Sequence, residues 1–155
     1  MRFWIRAAII SAVYVVVTAV FAPISFGPMQ VRVAESLALL PFLWAEAVPG
    51  LFIGVLLANV LWGLGVIDIV LGSLATLLAA LLTRRMPSLW LAAVPPVIVN
   101  GLVVGAYLTL WFPVPLAWSV AYVSLGQIVA CFGLGIPLVI LMRRLEQRGD
   151  IQVER

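Results

Sequence analysis

Arg32 and Glu35 stand three positions apart in a chain that is 65% hydrophobic, just after the turn-rich stretch Ala22-Pro23-Ile24-Ser25-Phe26-Gly27-Pro28. Residues of these types bind. A carboxylate accepts from adjacent N–H donors, and a guanidinium offers a planar fork of donors to a carbonyl or an acid. A charge inside a membrane helix costs roughly 2.5 to 3.5 kcal/mol on insertion scales, so an intramembrane pair beside a loop marks a ligand site by default. The competing reading is a structural ion pair at i, i+3.

Helical arithmetic at about 100 degrees per residue places the other polar groups. Glu46 returns to nearly the azimuth of Glu35 about 16 Å farther along the axis, where an interfacial carboxylate is as good a reading as a functional one. Asp68 opens a later span and suits a helix cap, a ligand contact, or both. Asn100 lies mid-span with Tyr107 and Trp111 on its face, and Gln127 lies in the following span. Interhelical hydrogen bonding is the plain reading of both amides. The sharper reading is an outer cavity lined by Glu35, Asp68, Asn100, Gln127, Trp62 and Tyr107. It would suit a planar, hydrogen-bonding heterocycle better than an inorganic ion. Gln30 and Asn59 complete the candidate set.

The elements that must position these groups are membrane helices. With 155 residues, nine basic and six acidic side chains and a mean hydropathy of +1.24, the chain is far more apolar than a soluble domain, in which about 25% of residues are charged. Barrel strands would alternate in polarity, and the apolar runs here do not. Six spans are expected, at 4–22, 32–47, 50–63, 67–83, 89–111 and 116–142, forming one membrane domain over 1–142 with a short cytoplasmic tail over 143–155. Val48-Pro49-Gly50 is expected to break the second span from the third. The first span reads as retained, because Pro23 directly follows the passable cleavage pattern Val20-Phe21-Ala22 and should hinder a cut there.

Arginines test the count, since basic loops stay cytoplasmic. Arg2 and Arg6, Arg84 and Arg85, and Arg143, Arg144 and Arg148 all fall on one side when there are six spans. Both termini are then cytoplasmic, and Arg32 lies near the outer face as the exception. No second half mirrors the first, which argues against an inverted-repeat carrier.

Several activities are excluded. There is no Lys, hence no P-loop, so any ATP-driven work belongs to a partner. There is no His, which removes the commonest general base and most zinc motifs, and the single Cys131 in an apolar run reads as an inert buried thiol. An enzyme is not expected, and neither a covalent cofactor nor a metal is indicated. The pI near 9.8 reflects topology rather than nucleic-acid binding. Ala8 and Ala12, four apart on the first span, give a notch for a partner helix, with internal packing as the alternative.

The stretch Gly27-Pro28-Met29-Gln30-Val31-Arg32-Val33-Ala34-Glu35-Ser36-Leu37, followed by Leu40-Pro41-Phe42, resembles the QueT family. These are substrate-binding subunits of energy-coupling factor (ECF) transporters for queuosine precursors. Asp68-Ile69-Val70-Leu71-Gly72-Ser73-Leu74-Ala75-Thr76-Leu77-Leu78 resembles a second block of the same family. The motifs lie within residues 8–78, and beyond Arg85 no family pattern is matched residue by residue. The resemblance implies an all-α six-helix bundle of the bacterial or archaeal cell membrane, with a pocket near the outer face. It also implies docking of the first helix, through Ala8 and Ala12, on a transmembrane scaffold subunit coupled to two ATPases that use the ATP. The implied ligand is an aminomethyl-deazaguanine, with Glu35 and Asp68 serving its guanine edge and its cationic arm in an order left open. Arg32 would orient Glu35 or reach the purine carbonyl. Rival readings are an ECF subunit for another nutrient such as thiamine, a non-transporting membrane scaffold, and an ion-coupled carrier.

Overall fold

The computed structural model describes residues 2–25, 32–62 and 65–148. Among these the chain is helical, in six successive segments. The first is α1 (Arg2–Val20), trailed by the single turn α2 (Ala22–Ser25). A 3-10 helix (Val33–Phe42) is the second and α3 (Ala47–Trp62) the third. The fourth is a π-helical turn (Asp68–Gly72) running into α4 (Ser73–Arg84). The fifth joins the short α5 (Leu89–Ala92) to α6 (Val94–Leu108). The last runs from α7 (Leu116–Ile128) through a second π segment (Val129–Gly135) to α8 (Ile136–Gln147).

Three of these segments are long and apolar enough to cross a membrane: Arg2–Val20, Leu89–Leu108 and Leu116–Gln147. The bundle turns large apolar side chains outward all round, among them Ile9, Val16, Leu61, Val66, Leu102 and Trp118. In water such a surface would aggregate, whereas in lipid it faces its own solvent. The chain is therefore a helical membrane protein.

Two expectations about the second and third segments need correcting. The second is a 3-10 helix that ends at Phe42 rather than an α-helix reaching 47. Pro41 explains its last turn, because in an α-helix the proline ring would strike the carbonyl four residues back and the N–H would be lost. The break lies at Leu43–Glu46, not at Val48-Pro49-Gly50, which belongs to the first turn of α3. There the missing N–H of Pro49 is one the helix would not have used. The final helix also continues past the expected end at 142 to Gln147. Its last turns are held by the Arg143 guanidinium, 4.9 Å from the Phe42 ring centroid, and by Trp44 Nε1, which donates to Glu146 at 2.5 Å.

Close approach of backbones assembles the bundle. A Cβ at Gly54 would come within 2.9 Å of Tyr14 Cβ, and one at Gly105 within 2.7 Å of Val120 Cα, so glycine lets α3 press on α1 and α6 on α7. Gly65, at φ 117, makes the left-handed turn into the fourth segment, a conformation that a side chain would oppose. One core joins Ile10 and Tyr14 of α1 to Leu37, Leu51, Val55 and Ala80. Others gather Leu39 with Cys131 and Val139, and Val104 with Leu108 and Val123. Between these apolar clusters lies a polar centre.

Candidate functional site

The three departures from α geometry converge on that centre. The 3-10 helix carries Glu35 in its first turn, with Arg32 as the extended residue that caps it. Asp68 starts the first π turn. The second π segment begins two residues after Gln127, contains Cys131 and is pressed against the 3-10 helix. There Gly135 sits so close that a Cβ would lie 2.9 Å from the Ser36 carbonyl oxygen. Pro137, in the first turn of α8, accounts for the widened turn ahead of it, since its ring would clash with a carbonyl in regular α geometry. Single π turns inside α-helices are frequent at functional sites.

Glu35 is the hub. It is 1% exposed, and both carboxylate oxygens are engaged. The Tyr14 hydroxyl donates to Oε1 at 2.6 Å, and Asn100 Nδ2 donates to Oε2 at 3.3 Å. Each oxygen can accept a second hydrogen bond, so two acceptor positions are left for an incoming group. The Cys131 thiol points at the Glu35 backbone oxygen, 3.6 Å away, and at Gln127 Oε1, 3.7 Å away. It is buried, as its apolar run suggests.

Arg32 joins this hub to a second one. Its Nη2 lies 3.5 Å from Asp68 Oδ1, both side chains being buried. Asp68 also accepts from the Tyr107 hydroxyl, and its backbone oxygen accepts from Asn59 Nδ2 at 3.0 Å. Asp68 therefore makes tertiary contacts with other segments. Gly72 leaves room for the cluster, because a Cβ there would lie 2.9 Å from Asn59 Nδ2 and 3.1 Å from the Tyr107 hydroxyl. Tyr107 in turn packs edge-on against Trp111, with centroids 6.0 Å apart.

A cavity of about 10 Å³ opens beside Glu35, lined by Arg32, Glu35, Gly72, Thr76, Asn100, Val104, Val123 and Gln127. Four of the expected site residues thus meet at one cavity: Arg32, Glu35, Asn100 and Gln127. Asp68, Asn59 and Tyr107 form the adjoining buried cluster, one shell away through Arg32. Trp62 stands apart, 37% exposed at the end of α3. Gln30 lies outside the described residues. Ala8 and Ala12 both sit on the outward face of α1, with Ala7, Ile10, Ser11 and Tyr14 turned inward. Glu46 pairs with Arg6 at 2.9 Å at the far end of the bundle.

Sequence reasoning missed Tyr14, Thr76 and the role of Gly72. Tyr14 carried a signal, since a buried phenol needs a hydrogen-bond partner and this one shares a helical face with Ala7 and Ile10. Thr76 carried none, because a threonine in an apolar helix ordinarily bonds its own backbone.

Two buried acceptors in this region have no hydrogen-bond partner among the described residues, Asn100 Oδ1 and Asn59 Oδ1. Such groups are rare in native proteins, and each calls for an explanation. An orphan acceptor, a carboxylate with spare capacity and a guanidinium around one cavity can bind a molecule that brings N–H donors and an acceptor of its own.

No curated relative and no solved structure matches the chain. The family model described as QueT transporter matches residues 4–144. That span includes every described element of the site and nearly the whole bundle. This chain is therefore a member of the QueT transporter family, a membrane transporter component and not an enzyme.

Proposed function

We propose that this chain is the substrate-binding subunit of an ECF-type importer and captures a queuosine precursor of the 7-deazaguanine type from outside the cell. It then delivers the precursor inward with a transmembrane scaffold subunit and two ATPases, in a bacterial or archaeal cell membrane that it crosses six times with both termini inside. ATP is used by the partners, and this chain needs no cofactor or metal.

The observation that carries this reading is the Glu35 centre. A buried carboxylate is costly unless it is paired and hydrogen-bonded, and evolution gains nothing in bundle stability from one that keeps two acceptor positions spare. A guanine edge presents adjacent ring N–H and amino donors, which a carboxylate accepts as a pair. Arg32 would supply the donor for the purine carbonyl and Asp68 the charge that balances Arg32. With Asp68 engaged in this way, Glu35 is the carboxylate we assign to the ring edge. Ala8 and Ala12, outward on α1, offer the scaffold subunit a smooth notch. The cavity, about 10 Å³, is far below the roughly 300 Å³ at which ligand pockets begin. Binding must therefore part its walls.

The test is calorimetric titration of the purified chain in detergent with aminomethyl-deazaguanine, with thiamine, riboflavin and biotin as controls. Saturable binding of the deazaguanine alone is expected. Binding of a control instead would move the chain to another nutrient, and no binding of any by folded protein would favour a scaffold.

A further inference from the structure

Glu35 sets which way the Asn100 amide points. An ionised carboxylate only accepts, and it is the NH₂ end of Asn100 that lies 3.3 Å from Oε2. The carbonyl end is thereby turned away from Glu35. Oδ1 is then fully buried without a partner among the described residues, on a side chain 2% exposed that lines the cavity. A buried carbonyl left in this way is less stable than one that is hydrogen-bonded. Within one side chain, the donor end is spent on holding Glu35 and the acceptor end is held in reserve beside it.

A ligand group that satisfies both neighbours must give one N–H to Glu35 Oε2 and another to Asn100 Oδ1. A ring N–H has a single hydrogen and serves only one of them. A primary amino group conjugated to a ring has two hydrogens in one plane, directed to either side. Beside a ring N–H that goes to Oε1, such a group would give its first hydrogen to Oε2 and its second to Asn100.

We propose that Asn100 is the specificity-determining residue for this amino group, so that the site selects 2-amino over 2-oxo and unsubstituted pyrimidinone rings. This rests on the reading of the chain as a deazaguanine-capturing subunit. A 2-oxo ring would set its carbonyl against Oδ1, acceptor against acceptor. A ring with no substituent would leave Oδ1 and one position on Glu35 unpaired. Sites built to hydrogen-bond a polar group reject analogues that lack it far more strongly than apolar pockets reject a missing methyl.

The experiment compares the affinities of the purified chain for aminomethyl-deazaguanine and for the same molecule without its exocyclic amine, aminomethyl-deazahypoxanthine. The unmodified chain is expected to bind the amine-free analogue at least a hundredfold more weakly. In Asn100→Leu both affinities fall, because Glu35 also loses a donor, and only the ratio of the two reports the amino contact. That ratio is expected to shrink at least tenfold. Asn100→Val, smaller than leucine and likewise without an acceptor, provides the same readout should the leucine variant not fold. Equal binding of the two ligands by the unmodified chain, or an unchanged ratio in a folded Asn100 variant, would overturn the assignment and leave substrate capture standing. Failure of the unmodified chain to bind either ligand would overturn the capture reading, and this assignment with it.

Discussion

The Tyr14 hydroxyl donates to Glu35 Oε1 across 2.6 Å, joining the first helix to the buried carboxylate of the 3-10 helix. The same helix turns Ala8 and Ala12 outward. One element therefore holds the centre of the candidate site on one face and offers a smooth surface on the other. Tyr14→Phe removes the donor and leaves Oε1 short of a partner in an apolar interior. A hydrogen bond to a charged group is worth about 1.5 to 3 kcal/mol, and a loss in that range is expected in reversible unfolding of the detergent-solubilised protein. A loss within the error of the measurement would mean that Glu35 finds another donor.

Glu35→Gln keeps the shape of the side chain but replaces one of its acceptor oxygens by a donor. Affinity for aminomethyl-deazaguanine is expected to fall at least tenfold, about 1.4 kcal/mol, in protein that elutes as a single folded species. Unchanged affinity would remove Glu35 from the site.

Asp68→Asn leaves the buried Arg32 without its ion-pair partner 3.5 Å away. Removing one member of a buried pair costs about 3 kcal/mol or more. We expect a destabilisation of that size, and a smaller one when Arg32→Met is added, since the pair is then removed together. Additive losses in this double-mutant cycle would show that the two residues do not act as a pair.

Gly105→Leu forces a side chain into a space where even a Cβ would meet the Val120 backbone at 2.7 Å. Overpacking of this kind costs about 1 to 3 kcal/mol. The melting temperature should drop, and ligand affinity should drop with it, since Val104 and Val123 wall the cavity on the same two helices. Unaltered stability would mean that α6 and α7 separate at little cost.

Ala8→Leu with Ala12→Leu changes only the outward face of α1. Substitutions away from packed contacts fall within about 0.5 kcal/mol, so the isolated chain should keep its stability and its ligand affinity. Uptake of the precursor by cells carrying the whole transporter should be lost. Normal uptake would place the scaffold on another surface.

The sequence by itself determined the medium and most of the segmentation. Runs too apolar for water and arginines at the ends of spans require membrane helices whatever their packing. Arg32 and Glu35 announced themselves because a charge in that setting has to be compensated. Segment geometry was not legible in the same way. Pro49 and Pro41 are the same residue type with opposite outcomes, one absorbed in the first turn of α3 and the other ending a 3-10 helix. A proline excludes an N–H and fixes φ without deciding where a helix begins. Only the tertiary structure decided which partner each polar group takes. Helical spacing allowed an Arg32–Glu35 pair, yet Arg32 reaches Asp68 while Glu35 is held by Tyr14 and Asn100. Hydrogen bonds act over about 3 Å, and residues 21 to 65 positions apart in the chain come within that distance only once the helices have packed.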